Sequence, residues 1–595
     1  MAGDGRPWWD RRVLGVALAL FLGFLVLRLP FRAEFLVNWD AANFALGVRA
    51  FDLEHHQPHP PGYLGYVLLG RLLKPLAGDA NGALTLISAV SGGASLAGFF
   101  LLARRFAAER FALAGTVLLG ASPLVWYYSG VALTYALELA LGVGLVWLAY
   151  EARARACPRH LAAATVLLVI LGAVRQSGGL LMTPLWLYTV WAFPWRVQAG
   201  ALAGLVAGNL SWLIPLVHLS GGVEPFFRVS AELAGLAVAP TSIFAMEAGG
   251  LGQNAVIVGV GLLMGGHVAL GILAVGILQA PRAALSPFRR HAPFFALWLI
   301  PALATYLLLH TGQLGYVLVL LPVLFLSVAT SMEGLLGREA EQTSPVSRPR
   351  WRLPALTAGC AIVGLALTSA TGSMLYGVAR SGEATADDDG LAGVLAGLPL
   401  FRTLAQENGD LLDGVRQFDV RSNDAYWRDL LGLIDELDPE ATRILTTPER
   451  AGSFRALTYY ASDHTVLGVG HDLSRDFGHL FTARDGTSDY SVSGLGQASS
   501  RVPLPEGVRF LVVPDHEVRE ALESGGVSAD VSAAELGWED MEVGAGHEVL
   551  VLEVPEGTEL TAEGGLDPWA DDGGGEAPAL VLNTGPEPAA PVSDR

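Results

Sequence analysis

Two adjoining stretches decide how this chain is read: VLGVALALFLGFLVLRL, Val13 to Leu29, and LVNWDAANFALGVRAFDLEHHQPHPPGY, Leu36 to Tyr63. The first is an almost unbroken apolar run behind Arg11 and Arg12. A helix needs about 20 apolar residues to cross the hydrocarbon of a bilayer. Only a helix or a closed barrel satisfies its backbone there. No small-x-small cleavage site follows and many further apolar runs do, so the run reads as an uncleaved first span rather than a signal peptide. The second stretch is polar. It places Asp40 about a dozen residues past the end of that span, then gathers His55, His56, His59 and a Pro60-Pro61-Gly62 turn in the same loop. A simple anchor has no need of that chemistry at a membrane surface.

The bulk of the chain agrees. Its 595 residues are 52% hydrophobic and 16% charged, whereas charged residues make up roughly a quarter of soluble proteins. The apolar residues are grouped, and about eleven spans are expected from the pattern. They lie near 13–29, 80–103, 111–129, 131–150, 160–174, 178–194, 198–218, 251–279, 292–309, 315–332 and 353–373. The expected class is a mainly α, polytopic helical membrane protein with a C-terminal extracytoplasmic α/β domain.

Basic loops orient the spans. Arg6, Arg11 and Arg12 precede the first; Arg104, Arg105 and Arg110 follow the second; Arg153, Arg155 and Arg159 follow the fourth; Arg282, Arg289 and Arg290 precede the ninth; Arg338, Arg348, Arg350 and Arg352 precede the eleventh. All fall on one side, so the N-terminus is expected in the cytoplasm and the C-terminal region outside. The first outer loop, 30–79, departs from the rule with Arg32, Arg49, Arg71 and Lys74. Tyr63 to Pro75 suits a helix lying flat at the interface.

Beyond residue 375 the composition changes. Asn423 to Leu437 reads as an amphipathic helix, and Arg443–Thr446, Thr465–Val469, Phe510–Val513 and Glu548–Val554 as buried strands. The expected domains are 1–375, the membrane part; 376–555, an α/β domain; and 556–595, a disordered acidic tail rich in Gly and Pro. The net charge of -19 lies mostly in this last third and argues against nucleic acid as a partner. Cys157 and Cys360 fall at different depths of this topology, so no disulfide or metal site is expected from them. The chain lacks a Walker A loop, a helix-opening GxGxxG, an HExxH and a CxxC, which argues against ATP-driven and nicotinamide chemistry.

The candidate chemistry is carried by polar residues near the outer face. Asp40 reads either as the N-cap of a following helix or as a general base. The turn after His59 would hold His59 and Tyr63 in place. Arg175, ending the fifth span in GAVRQSGG, offers a planar fork of donors that matches a phosphate, or snorkels. Glu138 lies in the fourth span, His310 and Gln313 in the loop HTGQLGY, Tyr316 at the head of the tenth span, and His218 at the end of the seventh. Polar groups at membrane depth are costly and mark functional sites by default. Their common level points to one outward-facing cleft.

These residues resemble those of the GT-C membrane glycosyltransferases, the group of protein O-mannosyltransferases, aminoarabinose lipid A transferases and bacterial family 39-like proteins. The resemblance covers about residues 10–375. It rests on Asp40 after the first span, HPPGY at His59–Tyr63, SPLVWYYSGVALTY at Ser122–Tyr135, Arg175, and HTGQLGY at His310–Tyr316. It implies a multi-pass protein of a bacterial-type inner membrane that takes a sugar from a polyprenyl-phosphate-linked donor. It also implies inverting transfer to an envelope lipid, glycan or protein, with Asp40 as base. His59, Arg49, Arg175, Tyr63, Glu138, His310, Gln313 and Tyr316 are then the donor-phosphate or substrate-binding set. Many relatives carry paired acids in the first loop where this chain has Trp39-Asp40-Ala41, so a divalent metal cofactor and the acceptor both stay open. Two other readings remain at this point: a transporter or flippase of lipid-linked saccharide, disfavoured by the absence of a repeat, and a non-catalytic membrane scaffold.

Overall fold

The computed structural model describes residues 10–239, 241–244 and 248–336. In the C-terminal third it describes 420–446, 453–470, 479–484, 487–488, 501–504, 506–514, 538–543, 547–554, 558–563 and 579–583. The expected eleventh span and Cys360 lie outside these residues.

The helices follow the apolar runs closely: α1 Arg11–Arg28, α2 Trp39–Arg49, α3 Leu64–Ala77, α4 Ala80–Ala103, α5 Glu109–Gly120, α6 Pro123–Tyr128, α7 Tyr135–Arg155, α8 Pro158–Val174, α9 Gln176–Val190, α10 Trp195–Leu219, α11 Val223–Leu233, α12 Ala248–Gln279, α13 Pro281–Ala284, α14 Ser286–Arg290, α15 Ala292–Leu308 and α16 Leu321–Leu336. Among the described residues α1 with its 3-10 extension, α4, α7 and α10 are long and apolar enough to cross a membrane. A fifth crossing is added if the two arms of α12, which meet at 86°, count as one span; α8, α15 and α16 are apolar but shorter.

Two expected spans are interrupted. The run 111–129 divides into α5 and α6, because Pro123 opens a new helix and cannot continue the hydrogen bonding of the old one. The run 315–332 begins as a 3-10 stretch, Leu314–Val319, before α16. The basic residues of the second and fourth loops have a definite anchor. Buried Glu151 accepts a hydrogen bond from Arg155 Nε and is ion-paired with Arg105 Nε, both at 2.5 Å.

The chain divides into two compact units. The first comprises 1–33, 61–223 and 237–418; the second comprises 34–60, 224–236 and 419–595. In the first unit α4 is the core helix, packed by α1, α7 and α3. It tolerates close neighbours because it is lined with small residues: a Cβ on Gly93 would lie 2.7 Å from the Phe21 carbonyl oxygen of α1.

The second unit carries a seven-stranded sheet. Its strands are β1 Thr442–Thr446, β2 Thr465–Gly470, β3 His479–Arg484, β4 Thr487–Ser488, β6 Phe510–Val513, β7 Trp538–Val543 and β8 His547–Glu553, after β5 Arg501–Pro503 is assigned to a second sheet. The order is β4-β3-β2-β1-β6-β8-β7. Central β1 runs parallel to β2, with Ile444 beside Val466, and to β6, with Ile444 beside Val512. All five of its residues are buried, as a strand covered on both faces must be. Helix α17, Val420–Asp435, precedes β1, and α18, Ser453–Tyr460, connects β1 to β2. The tail expected to be disordered contains two strands, β9 Glu559–Glu563 and β10 Ala579–Asn583. With β5 they form a three-stranded antiparallel sheet. Ladder pairing of short alternating runs such as Glu559–Glu563 is decided by partners far along the chain, which composition alone does not show.

Candidate functional site

In the second unit the first loop begins at Glu34 and is organised by α2. Asn38, not Asp40, caps this helix: its side-chain oxygen accepts the Ala41 amide at 2.9 Å. Asp40 is therefore freed from capping and sits in the first turn, where a negative charge complements the helix dipole. Its Oδ1 lies 3.6 Å from His59 Nδ1, with side-chain exposures of 27% and 12%. The His59 ring rests on Phe44, centroids 5.1 Å apart. The pair is thus reachable from solvent and walled on one side by an aromatic ring.

The rest of the loop is tied to itself and to α11 and α18. Asp52 and Gln57 exchange backbone hydrogen bonds of 2.6 and 2.7 Å. Asp52 Oδ2 meets His55 Nδ1 at 2.7 Å. That bond raises the His55 ring above the ordinary histidine range, against the opposing effect of burial. Burial pushes the Asp52 carboxyl up, but its bonds to His55 outweigh this and hold it below the ordinary carboxylate range. His56 is buried, and burial, then the Arg455 charge, push it well below, so it is neutral at pH 7. Close packing fixes the turn: a Cβ on Gly47 would fall 2.7 Å from the Pro58 nitrogen. Arg49 of the candidate set is engaged by α18. It donates to the Tyr459 carbonyl at 2.8 Å, and its guanidinium lies 4.6 Å from the Tyr459 ring.

In the first unit Arg175 stands at the break between α8 and α9, where its φ of -151° is extended. Its guanidinium is 6% exposed as a residue and is enclosed by named partners. Nε meets Glu138 Oε2 of α7 at 3.2 Å, and NH1 donates to Thr134 Oγ1 at 3.1 Å. The Tyr135 and Tyr316 rings lie 4.6 and 4.7 Å from its central carbon. Tyr316 in turn touches Tyr306 at 5.2 Å and His310 at 6.1 Å between ring centroids. His310 Nδ1 lies 3.0 Å from Thr241 Oγ1. A cation against two neighbouring aromatic rings and beside a carboxylate is stabilised by ring quadrupoles and charge together.

Small residues permit the enclosure. A Cβ on Gly178 would lie 2.5 Å from Glu138 Oε1, and one on Gly315 would lie 2.5 Å from the Tyr135 ring. Tyr63 begins α3 in a left-handed conformation, φ 42°, after Gly62 at φ 107°. Gln176, next to Arg175, donates to the Pro61 carbonyl at 3.4 Å, within the first unit. Gln313 precedes the 3-10 stretch bearing Tyr316. His218 is exposed near the end of α10.

The structure thus brings Glu138, Arg175, Tyr316 and His310 into one cluster in the first unit, and Asp40 and His59 into one pair in the second. Sequence reasoning missed Thr134, Tyr135 and Tyr306 in the first cluster, and Asn43 and Arg455 in the second. Tyr135 had a signal, since it closes the quoted SPLVWYYSGVALTY. Arg455 had none. Among the described residues no three His, Cys, Asp or Glu side chains converge as a cation-binding set.

No protein-family model matches the chain, and no curated protein matches it. Solved structures do. The chain is similar to ArnT from Cupriavidus metallidurans bound to undecaprenyl phosphate, with TM-score 0.50 and 15% identity over 91% of this chain and 97% of that one. For the apo state of the same protein the values are 0.49 and 16% over 92% and 98%. For the archaeal oligosaccharyltransferase AglB from Archaeoglobus fulgidus, in complex with an inhibitory peptide and a dolichol-phosphate, they are 0.39 and 13% over 82% and 75%. The first of these likenesses extends over nearly the whole of both chains, and what it shows is the fold: this chain is folded like ArnT.

Proposed function

We propose that this chain is a membrane glycosyltransferase. It moves a sugar from a polyprenyl-phosphate-linked donor to an extracytoplasmic lipid, glycan or protein, with inversion at the anomeric carbon. The observation that carries the reading is the Asp40–His59 pair. A carboxylate is released from capping duty by Asn38, is partly open to solvent, and stands 3.6 Å from an imidazole in the first loop after the first apolar helix. A fold of this type, whose solved counterpart ArnT holds undecaprenyl phosphate, supports it.

Asp40 takes the proton of the acceptor hydroxyl as that oxygen attacks the anomeric carbon. His59, 3.6 Å away, orients the carboxylate. Arg175 receives the lipid phosphate. Its forked guanidinium matches phosphate oxygens, and neutralising the leaving group as charge develops lowers the barrier. Tyr135 and Tyr316 lie against the guanidinium and limit its orientation, and Tyr63, His310 and Gln313 complete the polar surroundings. The lipid tail stays among the apolar helices, which supplies orientation without nucleotide-binding machinery. In this reading the chain crosses the membrane about eleven times, with the N-terminus in the cytoplasm and the α/β domain outside.

The test is turnover of undecaprenyl-phosphate-linked sugars by the full chain in lipid nanodiscs, followed as released undecaprenyl phosphate. Asp40→Asn is expected to stay folded and to lose turnover. Near wild-type turnover in that variant would reduce Asp40 to a first-turn acid. Fusion reporters at residues 345 and 450 are expected to report opposite sides of the membrane; the same side for both would sink the topology.

A further inference from the structure

Asp40 and His59 come from different parts of the loop, α2 and the turn before α3. Within the loop, the Phe44–His59 ring contact and the close approach of Gly47 to Pro58 set α2 against the turn. A hydrogen-bonded connection is added from 412 residues away. Arg455, in the first turn of α18, is fully buried, with 0% exposure. Its Nε donates to Asn43 Oδ1 at 2.7 Å. Its NH2 donates to the carbonyls of His55 at 2.6 Å and His56 at 3.1 Å. Its central carbon lies 5.7 Å from the Trp39 ring.

Asn43 lies three residues beyond Asp40, on the same helix face. His55 and His56 lie four and three residues before His59. One guanidinium therefore ties the helix bearing the carboxylate to the turn bearing the imidazole. We propose that Arg455 is a positioning residue that sets the Asp40–His59 geometry, so that α18 of the C-terminal region holds the first loop in its working shape. This rests on the reading of Asp40 as base.

Neighbouring bonds show that the attachment is a system rather than one contact. The Leu36 amide donates to Tyr460 Oη at 2.9 Å. The Glu34 and Phe35 amides donate to the Asp424 carboxylate of α17 at 3.0 Å each. Arg49 donates to the Tyr459 carbonyl. These hold Glu34–Leu36 and the end of α2; Arg455 bonds both to Asn43 on α2 and to the His55–His56 segment. The planar fork is what makes this span possible, because its donors point in fixed, divergent directions. A lysine has one donor centre and reaches one part at a time. Misplacing a catalytic group by about 1 Å can cost about 100-fold in rate.

The experiment uses full-length Arg455→Gln and Arg455→Lys beside wild type and Asp40→Asn in nanodiscs, with two readouts. Hydrogen exchange of peptides covering 36–57 reports loop order, with α4 as the internal control for folding. Steady-state transfer from an undecaprenyl-phosphate-linked sugar reports kcat and KM separately. In Arg455→Gln, exchange in 36–57 is expected to rise at least tenfold, with α4 unchanged. The kcat should fall about 10- to 100-fold while donor KM stays within about twofold of wild type. Arg455→Lys, which retains the charge and one donor centre, should fall between. Unchanged exchange in both variants overturns the proposal. So does faster exchange with unchanged kcat, which would make Arg455 a packing residue. If Asp40→Asn turns over normally, it is the base assignment that fails, and the exchange arm still decides whether Arg455 orders the loop.

Discussion

Replacing Glu138 by Gln should move stability and lipid-phosphate affinity in opposite directions. Glu138 is 3% exposed and lies 3.2 Å from Arg175 Nε. At an effective dielectric of about 20, two unit charges at that distance attract by about 5 kcal/mol. Removing one partner of a buried pair costs about 3–5 kcal/mol, since the other charge is left uncompensated. Two features reduce this for glutamine: it keeps an acceptor for Nε, and the Tyr135 and Tyr316 faces remain, each worth about 1–2 kcal/mol to a desolvated cation. The expected loss is about 2–3 kcal/mol. The same change removes the anion that competes with an incoming phosphate for the guanidinium, so undecaprenyl phosphate should bind at least tenfold more tightly to Glu138→Gln. The stability arm is a double-mutant cycle with Arg175→Met, read from the rate of thermal inactivation in nanodiscs. Partners in contact should show a coupling above about 1 kcal/mol. Additive losses would mean that the pair is energetically idle. Weaker phosphate binding in Glu138→Gln would mean that Glu138 assists the donor site rather than competing in it.

Two further outcomes follow from the same geometry. Arg175→Lys retains the charge but loses the fork and the planar contact with the Tyr135 and Tyr316 rings, so undecaprenyl phosphate affinity should fall about tenfold or more while the protein still purifies folded; unchanged binding in a titration would show that the charge alone suffices. The Asp52–His55 bridge should give the first loop a pH window. The raised His55 ring contributes order that is complete below its ordinary value of 6.5 and is lost as pH rises through its higher folded value. The lowered Asp52 carboxyl contributes order that is present above 3.8 and lost as pH falls through its lower folded value. Loop exchange, corrected for intrinsic rates, should therefore be slowest between about pH 4 and 6.5 and should speed up on the alkaline side, with Asp52→Asn flattening the profile. A profile unchanged by that substitution would refute the assignment.

The readings that came straight from the sequence are those set by short-range forces. Helices α1, α4, α8 and α10 begin and end within a few residues of the apolar runs that predicted them, because a backbone denied water must bond within its own segment. The strands β1, β2, β6 and β8 were visible as short β-branched and apolar runs between turn residues. Asp40, His59 and Arg175 were visible as polar groups at an apolar boundary, where polarity is costly.

What the sequence did not contain was the set of partners. Asp40 and Asn38 are both good capping residues within two positions of each other; backbone geometry selected Asn38 and left the carboxylate beside His59. Glu138 and Arg175 read as two polar members of one cleft, and only the packing of α7 against the α8–α9 break made them an ion pair beside Tyr135 and Tyr316. Arg455 carried no local signal at all. A guanidinium in an eight-residue amphipathic helix looks like a solvated surface group until the fold brings Asn43 and two loop carbonyls to it across 399 to 412 positions. Spans and strands are fixed by interactions with neighbours in sequence and with the solvent. Ion pairs, boxes and clamps are fixed by which distant segments share a desolvated space, and only the tertiary structure decides that.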